Sequence, residues 1–235
     1  TLDPSQRYRL WGNPGAAVYT SFTCYEGKGD SLATRVTARL DDRQLTRDAE
    51  GCFELTLSAE AGAGPNHIQL DAATGQLWIR QLFNDSEHDA PGWFLLENLS
   101  PDSAPPAVDP EGVAGGMKRL SRAMPMLTQM MFAGWKMQTA NHPVNQIRVW
   151  TEMQNGALFT SDDIHYFIGS WKLAANEALH IEVTLPVCRH WNIVLYSPML
   201  NSLEHHYRCT SLTNARLQDV QNSIAQIVIA HQPGQ

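Results

Sequence analysis

The side chains best suited to acting on a small molecule fall in two short runs near the C-terminal end. The first is Arg189-His190-Trp191-Asn192. Read within a strand Arg189–Tyr196, it sets Arg189, Trp191 and Ile193 on one face and His190, Asn192 and Val194 on the other, because strand side chains alternate. A forked guanidinium beside an indole can hold an anionic or sugar-like ligand by hydrogen bonds plus a stacking surface. Arg189, Trp191 and Asn192 are therefore the candidate ligand-binding residues. The competing account puts Trp191 in the core and Arg189 at the rim of the sheet.

The second run is Leu203-Glu204-His205-His206-Tyr207-Arg208. Adjacent histidines on a strand point to opposite faces, so His205 and His206 are poorly placed to share a metal. His205 and Tyr207 are the same-face pair, and they are the candidate catalytic residues for general acid–base chemistry. Solvated surface histidines are the plain alternative. His165-Tyr166 is a segment that could approach this run. Arg80-Gln81 with Asp85 forms a weaker third group, where a salt bridge pinning a loop is the default.

Absent motifs narrow the chemistry. There is no phosphate-binding Gly-x-x-x-x-Gly-Lys-Ser/Thr, no Gly-x-Gly-x-x-Gly, no His-Glu-x-x-His and no Gly-x-Ser-x-Gly. His-x-His is missing as well, so neither a metal nor another cofactor is expected. The formal charge is −7, and the 17 Lys and Arg are scattered rather than clustered. Phosphate backbones are bound through clustered cations, so no nucleic-acid partner is expected. No apolar run approaches the roughly 20 residues of a membrane span, and no basic-then-apolar leader opens the chain. Those features predict a soluble protein whose compartment stays open and whose start at Thr1-Leu2-Asp3-Pro4 fits a trimmed N-terminus. Cys24, Cys52, Cys188 and Cys209 are widely spaced, which reads as buried free thiols and leaves one disulfide open.

The elements that must position these residues are mostly strands. With 43% hydrophobic and 17% charged residues, 235 residues suffice for one large β-sandwich or two modest domains. Turn chemistry at Asn13-Pro14-Gly15 precedes a β-rich run Ala17–Tyr25, and Phe53, Leu55 and Leu57 alternate with Glu54 and Thr56. Gln76–Phe83 and Trp93–Leu99 are further strand candidates. Ser100 to Gly116 is rich in Pro and Gly and reads as linker. Met117–Ala140 reads as a helix with an apolar face packed on a sheet, kinked or restarted at Pro125 and stopped by Asn141-His142-Pro143. Leu179, Ile181, Val183 and Leu185 then alternate with polar residues, and Ala225–Ala230 is a last strand. Leu179–Leu185 and Arg189–Tyr196 are expected to be neighbours in one layer. The predicted organisation is 1-100 as a first β region, 101-168 as linker and helical insertion, and 169-235 as a second β region.

A shift of 171 residues lays the second β region on the first. Tyr8-Arg9-Leu10 falls on Leu179-His180-Ile181, Thr20–Tyr25 on Trp191–Tyr196, Ser31-Leu32 on Ser202-Leu203 and Asp48 on Asp219. After a one-residue slip, Leu55, Thr56 and Leu57 meet Ile227, Val228 and Ile229. Identities are few, and what matches is the order and spacing of strands. Strands equivalent to Gln76–Phe83 and Trp93–Leu99 have no counterpart before His231-Gln232-Pro233-Gly234-Gln235, which leaves a sheet edge to be covered by a homo-oligomer or by chain from elsewhere.

Trp171-Lys172-Leu173 followed by Asn176-Glu177-Ala178-Leu179-His180-Ile181-Glu182-Val183 resembles a bacterial W-R-L-x-x-x-E-A-L-x-I-E signature. Cys188-Arg189-His190-Trp191-Asn192 resembles its C-R-Y-W-N, and Ser202-Leu203-Glu204 and Ile229-Ala230-His231 sit where that pattern expects them. The chain thus resembles the family called domain of unknown function 1214 over about Gly169 to Gly234, and Tyr8 to Leu99 looks like the region that usually precedes it. His190 departs from the usual aromatic, and the N-W-L-x-T-x-G-H element is missing. The resemblance implies a bacterial, jelly-roll-like β-sandwich with no agreed activity. The fold expected from all this is mainly β, a jelly-roll-like β-sandwich with a candidate duplication and a helical insertion between two β regions. Three functions fit: a module binding a sugar-like or other small polar or anionic molecule, a hydrolase or lyase on a carbohydrate-like substrate, or a structural part of a larger assembly.

Overall fold

Alternation in Tyr8-Arg9-Leu10-Trp11-Gly12-Asn13 becomes strand β1 (Tyr8–Asn13), which buries Tyr8, Leu10 and Gly12 and turns the others outward. The computed structural model describes residues 1–27, 31–62, 64–85, 87–100, 107–217, 220–221 and 223–232. The chain is mainly β and divides into two compact units. One comprises Thr1–Ser103 with Val149–Phe167, the other Ala104–Arg148 with Ile168–Gln235. Of the stretch 101-168, one part therefore groups with each unit.

The first unit is a β-sandwich. After β1 come β2 (Tyr19–Glu26), β3 (Val36–Asp41), β4 (Phe53–Ser58), β5 (His67–Gln69), β6 (Thr74–Leu82) and β7 (Trp93–Asn98). One sheet has the order β5-β4-β1-β7 and the other β3-β2-β6. All pairs are antiparallel except β4 with β5. Inward residues of both sheets meet in one core that includes Leu10, Phe22, Leu40, Leu55 and Leu57, with Phe94 packed against it. Each such side chain contributes about 1.5–3 kcal/mol by leaving water. At the entry to β2, Asn13 accepts a hydrogen bond from the backbone of Gly15 (2.8 Å), whose φ of 62° a glycine adopts freely.

The helix α1 spans Pro110–Asn141. It starts seven residues before the predicted Met117 because Asp109 caps it. The Asp109 carboxylate accepts from Glu111 N and Gly112 N, and Pro110 occupies the first turn. It runs through Pro125 as one element rather than restarting, and it ends where Asn141-His142-Pro143 predicts. The expected apolar face against a sheet is not found. Val113, Met117, Leu120 and Met124 form an exposed stripe, Met126 and Met137 are exposed as well, and Gln138 is the buried residue of the helix. The reason lies in the spacing: Met126, Met130 and Met137 fall on the side opposite that stripe, so the helix has apolar surface all round and no single face to bury.

The remaining strands are β8 (Gln146–Val149), β9 (Phe167–Ser170), β10 (Ala178–Thr184), β11 (Asn192–Val194), β12 (Ser211–Thr213), β13 (Val220–Gln221) and β14 (Ile224–Ala230). β8 pairs with β9, β11 with β12, and a third sheet has the order β10-β14-β13. The predicted strand Arg189–Tyr196 is thus cut to Asn192–Val194, and it pairs with β12 instead of lying beside β10. A bend at Arg189 delays the strand, and the pairing before it is irregular: Trp191 meets Asn214 through one backbone bond and one side-chain bond.

The duplication predicted by the 171-residue shift is visible in the ladders. The pairs Tyr8↔Leu57, Arg9↔Thr56 and Leu10↔Leu55 of β1 and β4 recur as Leu179↔Ile229, His180↔Val228 and Ile181↔Ile227 of β10 and β14. Likewise Ser21↔Asp41, Phe22↔Leu40 and Thr23↔Arg39 of β2 and β3 recur as Asn192↔Thr213, Ile193↔Leu212 and Val194↔Ser211 of β11 and β12. The first strand of each pair is displaced by 171 residues and the second by 172, so one inserted residue between β11 and β12 accounts for both. The proposed match of Asp48 with Asp219 lies outside the described residues, as do Pro101, Pro105 and Pro106 of the linker and Pro233 to Gln235.

Candidate functional site

The densest polar constellation is in the first unit, on the outer face of the sheet β3-β2-β6. Strand β2 is buried on both faces. Its Phe22 and Cys24 enter the core, while Tyr19 and Tyr25 point to the segment 156–166 that returns over them. Tyr25 Oη donates between the carbonyls of Phe159 (3.0 Å) and Thr160 (2.9 Å), and Arg80 Nη2 donates to the same Phe159 carbonyl at 2.8 Å. Trp78 stacks on the Phe159 ring with centroids 4.4 Å apart. These contacts hold a backbone that resists the conformation on its own, since Leu158 (φ 50°) and Phe159 (φ 65°) are left-handed. Gly156, at φ 95°, sits so close to Arg35 and Val36 that a side chain would strike their backbone.

Five charged groups complete the clamp. Arg39 reaches Asp162 (Nε, 2.8 Å), Asp163 (Nη1, 3.0 Å) and Asp41 (Nη1, 3.3 Å), and Arg43 Nη2 lies 2.8 Å from Asp41. Asp163 also accepts from Tyr19 Oη at 2.6 Å and from Ser161 Oγ at 2.5 Å. The hydrogen bonds from Arg43 hold the Asp41 carboxyl down at about 2, against the opposing effect of burial. Burial, then the bond to Asp163, pushes the Tyr19 hydroxyl up to about 12, so it stays a neutral donor. Burial pushes the Cys24 thiol up to about 12, which makes it inert as a nucleophile. Every oxygen of Asp163 is thus engaged. The arrangement is a lock that fastens a crossing segment to the sandwich.

The residues singled out in the sequence lie elsewhere. Arg189 and Asn192 are exposed and Trp191 is half-buried, with Arg189 at a bend and Trp191 just ahead of β11. The face shared by Arg189 and Trp191 required a strand that is not there. Asn192 Nδ2 lies 3.3 Å from His190 Nε2, and partial burial lowers the His190 pKa. His205 and Tyr207 lie in a turn closed by Tyr207 and Arg208 backbone bonds to the Glu204 carbonyl, so the same-face strand pair is also absent. The turn instead brings the rings of His205 and His206 to 4.1 Å, where alternation on a strand would have parted them. Tyr207 is 84% exposed. His165 and Tyr166 belong to the first unit, where Tyr166 Oη accepts from Ser161 N.

Arg80 and Asp85 do not form the predicted bridge to one another. Arg80 serves Phe159, while Asp85 accepts from Glu87 N and meets His88 Nδ1 at 2.8 Å. Asp85, Glu87 and His88 are close enough together for a cation, yet the Asp85 carboxylate is already occupied by its own turn. Gln81 donates to the Pro14 carbonyl and accepts from Gly92 N. All four cysteines are free, but only Cys24 is buried, and Cys188 and Cys209 are exposed, contrary to the buried-thiol reading. An open recess of about 170 Å³ in the first unit is lined by Thr1, Leu2, Leu10, Leu77, Ile79, Phe94 and Leu96, a surface apolar apart from Thr1.

Apart from Arg80 and Tyr166, which were read in other roles, the residues of the clamp were not singled out in the sequence. Asp41-Asp42-Arg43 and Ser161-Asp162-Asp163 are ordinary turn-like clusters taken separately. Only the fold, which carries them across more than a hundred residues of chain, makes them one network.

No protein-family model matches the chain, and neither does any curated protein. Among solved structures, the crystal structure of an uncharacterised protein from Burkholderia cenocepacia is similar at 27% identity with a TM-score of 0.87. The match covers 99% of this chain and 65% of that one, so this chain spans about two thirds of the length of its structural relative. Among the described residues no helix is long and apolar enough to cross a membrane.

Proposed function

We propose that this chain is a structural part of a larger assembly, a tandem jelly-roll-like β-sandwich scaffold akin to domain of unknown function 1214, without catalytic chemistry of its own. The observation that carries the reading is the surface of α1. Across 32 residues its buried residue is Gln138, whereas Met117 is 69% exposed and Leu120, Met124 and Met126 are each more than half exposed. Monomeric proteins rarely present contiguous apolar surface of that extent unless something binds there. His205 and Tyr207, solvent-facing in a turn, lack the enclosure that positions a proton-transfer pair.

The experiment is a comparison of the 235-residue chain with a Leu120→Gln, Met124→Gln double variant, by sedimentation and by binding of an environment-sensitive apolar dye. The parent is expected to self-associate or bind dye, and the variant to do so less while keeping its circular dichroism. A monodisperse, dye-negative parent would defeat the reading.

Ligand binding at Arg189, Trp191 and Asn192 is a second reading, favoured by the accessibility of Arg189 and Asn192 beside a half-buried indole. Quenching of tryptophan fluorescence by a panel of neutral and anionic sugars, lost in Arg189→Ala, would support it. Identical responses from parent and variant would end it.

A further inference from the structure

The outer face of the sheet β3-β2-β6 carries one cation that the clamp leaves unmatched. Arg80 stands on β6 opposite Ser21 of β2. Its Nη2 is spent on the Phe159 carbonyl, a neutral acceptor, while its Nη1 is shut off from solvent and donates to no atom of the described residues. The clamp's carboxylates turn to other partners, Asp41 to Arg43 and Arg39, and Asp162 and Asp163 to Arg39. Tyr25 shares the Phe159 carbonyl but supplies no charge, because burial pushes its hydroxyl above the ordinary value, with Arg80 pulling the other way. A guanidinium withdrawn from water without a counter-charge is costly, and an unmade donor adds to that cost. We propose that the roofed patch between Arg80, Ser21 and Thr23 is a binding site for a small monovalent anion of halide size. The site belongs to the first unit and is independent of the surface of α1 that carries the assembly reading.

The ladders put the donors together. Phe22 and Cys24 point into the core, so Ser21 and Thr23 share the outer face of β2, and both are fully buried there. Their hydroxyl oxygens are 3.5 Å apart, the outer limit of a hydrogen bond, so either can turn its proton to an ion instead. Ser21 is flanked across the sheet by Asp41 and Arg80, and Thr23 by Arg39 and Trp78. Directly opposed side chains stand about 4.5–5.5 Å apart at Cβ, and diagonal ones remain within reach of a long side chain, so one guanidinium spans both hydroxyls. Asp41 is the acidic neighbour, and its carboxylate is already saturated by the Arg43 backbone and guanidinium and by Arg39. Above the patch, Thr160 and Ser161 are buried and Phe159 is stacked on Trp78, which closes the space over the donors. Such a chamber admits an ion stripped of its water and excludes a bulky anion. The bonds to it are charge-assisted, and they tie β2 to β6 beneath the crossing segment.

Two measurements on the 235-residue protein test the site. In a crystal soaked in sodium bromide, diffraction recorded at the bromine edge is expected to show an anomalous peak in contact with Arg80 Nη1. In solution at constant ionic strength, exchanging sodium gluconate for sodium chloride is expected to raise the melting temperature by about 2–4 °C, because the smaller ion binds the folded state alone. Thr23→Val keeps the shape of the side chain and removes one donor, and it is expected to lose at least half of that rise. Arg80→Gln is expected to lose all of it, with the melting temperature in gluconate reporting whether the variant folds. A water molecule and no anomalous peak beside Arg80 would overturn the proposal. So would equal melting temperatures of the parent in the two salts, a bromide peak then marking an adventitious ion only. A chloride effect undiminished in folded Arg80→Gln would place the ion elsewhere and overturn it as well.

Discussion

The two β regions share a strand-pairing plan and differ in how much of it is covered. In the first, Leu10 is 1% exposed and lies between Leu55 and Leu96. Among the described residues its counterpart Ile181 is paired with Ile227 alone, and stays half-buried. The outer face of the first unit's smaller sheet is also roofed by the clamped segment, which is why Ser21 and Thr23 are buried there, whereas Asn192, the counterpart of Ser21, is exposed. Register is therefore a local property, specified by alternation and turn spacing. Burial is a collective one that depends on every strand being present.

The sharpest way to break this comparison is to truncate equivalent core residues. Leu55→Ala is expected to cost about 3–4 kcal/mol in urea unfolding, because a packed site cannot collapse around the void. Ile227→Ala should cost less, about 2–3 kcal/mol, since its cross-strand partner Ile181 is only half-buried. Equal costs would mean the second core is as complete as the first.

Next in size is the clamp. Arg39→Ala removes the cation of Asp162 and Asp163, leaving Asp41 to Arg43 and Asp163 to Tyr19 and Ser161, and is expected to cost about 2–3 kcal/mol, a breached ion network being worse than none. Limited proteolysis should then cut within 156–166, while the parent resists. Gly156→Ala should cost about 1–2 kcal/mol through its φ of 95° and the backbone it meets. Unchanged protease resistance in both variants would show that the segment is held by something else.

The smallest expected effect depends on pH. The Asp41 carboxyl sits at about 2 in the folded protein, against about 3.9 for an unfolded aspartate. A depressed folded value contributes stability that is complete above the unfolded value and is lost as pH falls from about 4 toward 2. The parent should therefore lose stability across that window faster than Asp41→Asn, as read by the urea midpoint at successive pH values. Parallel curves would remove Asp41 from the clamp's energetics.

Alternation made most of the fold legible in the sequence: Phe53–Leu57 and Leu179–Leu185 are strands close to their predicted bounds, and the 171-residue shift anticipates two sets of ladders. Where the apolar pattern weakens, the reading fails. Arg189-His190-Trp191 alternates polar with aromatic residues but carries no run of β-branched side chains, so a bend there wins over a strand. Asp109-Pro110-Glu111, read by composition as linker, caps α1 and starts it early, a signal the sequence reading passed over. The clamp was not legible, because Tyr19, Arg39 and Asp163 meet only through tertiary structure.

Amide hydrogen exchange on the 235-residue chain, read residue by residue on β1 and β10, tests the shared plan and the difference in coverage together. The β14-facing amides of β10 should be protected as the β4-facing amides of β1 are, and its other amides should exchange freely while those of β1 that face β7 do not. Protection on both sides of β10 in a monomer, or on neither, would contradict the account.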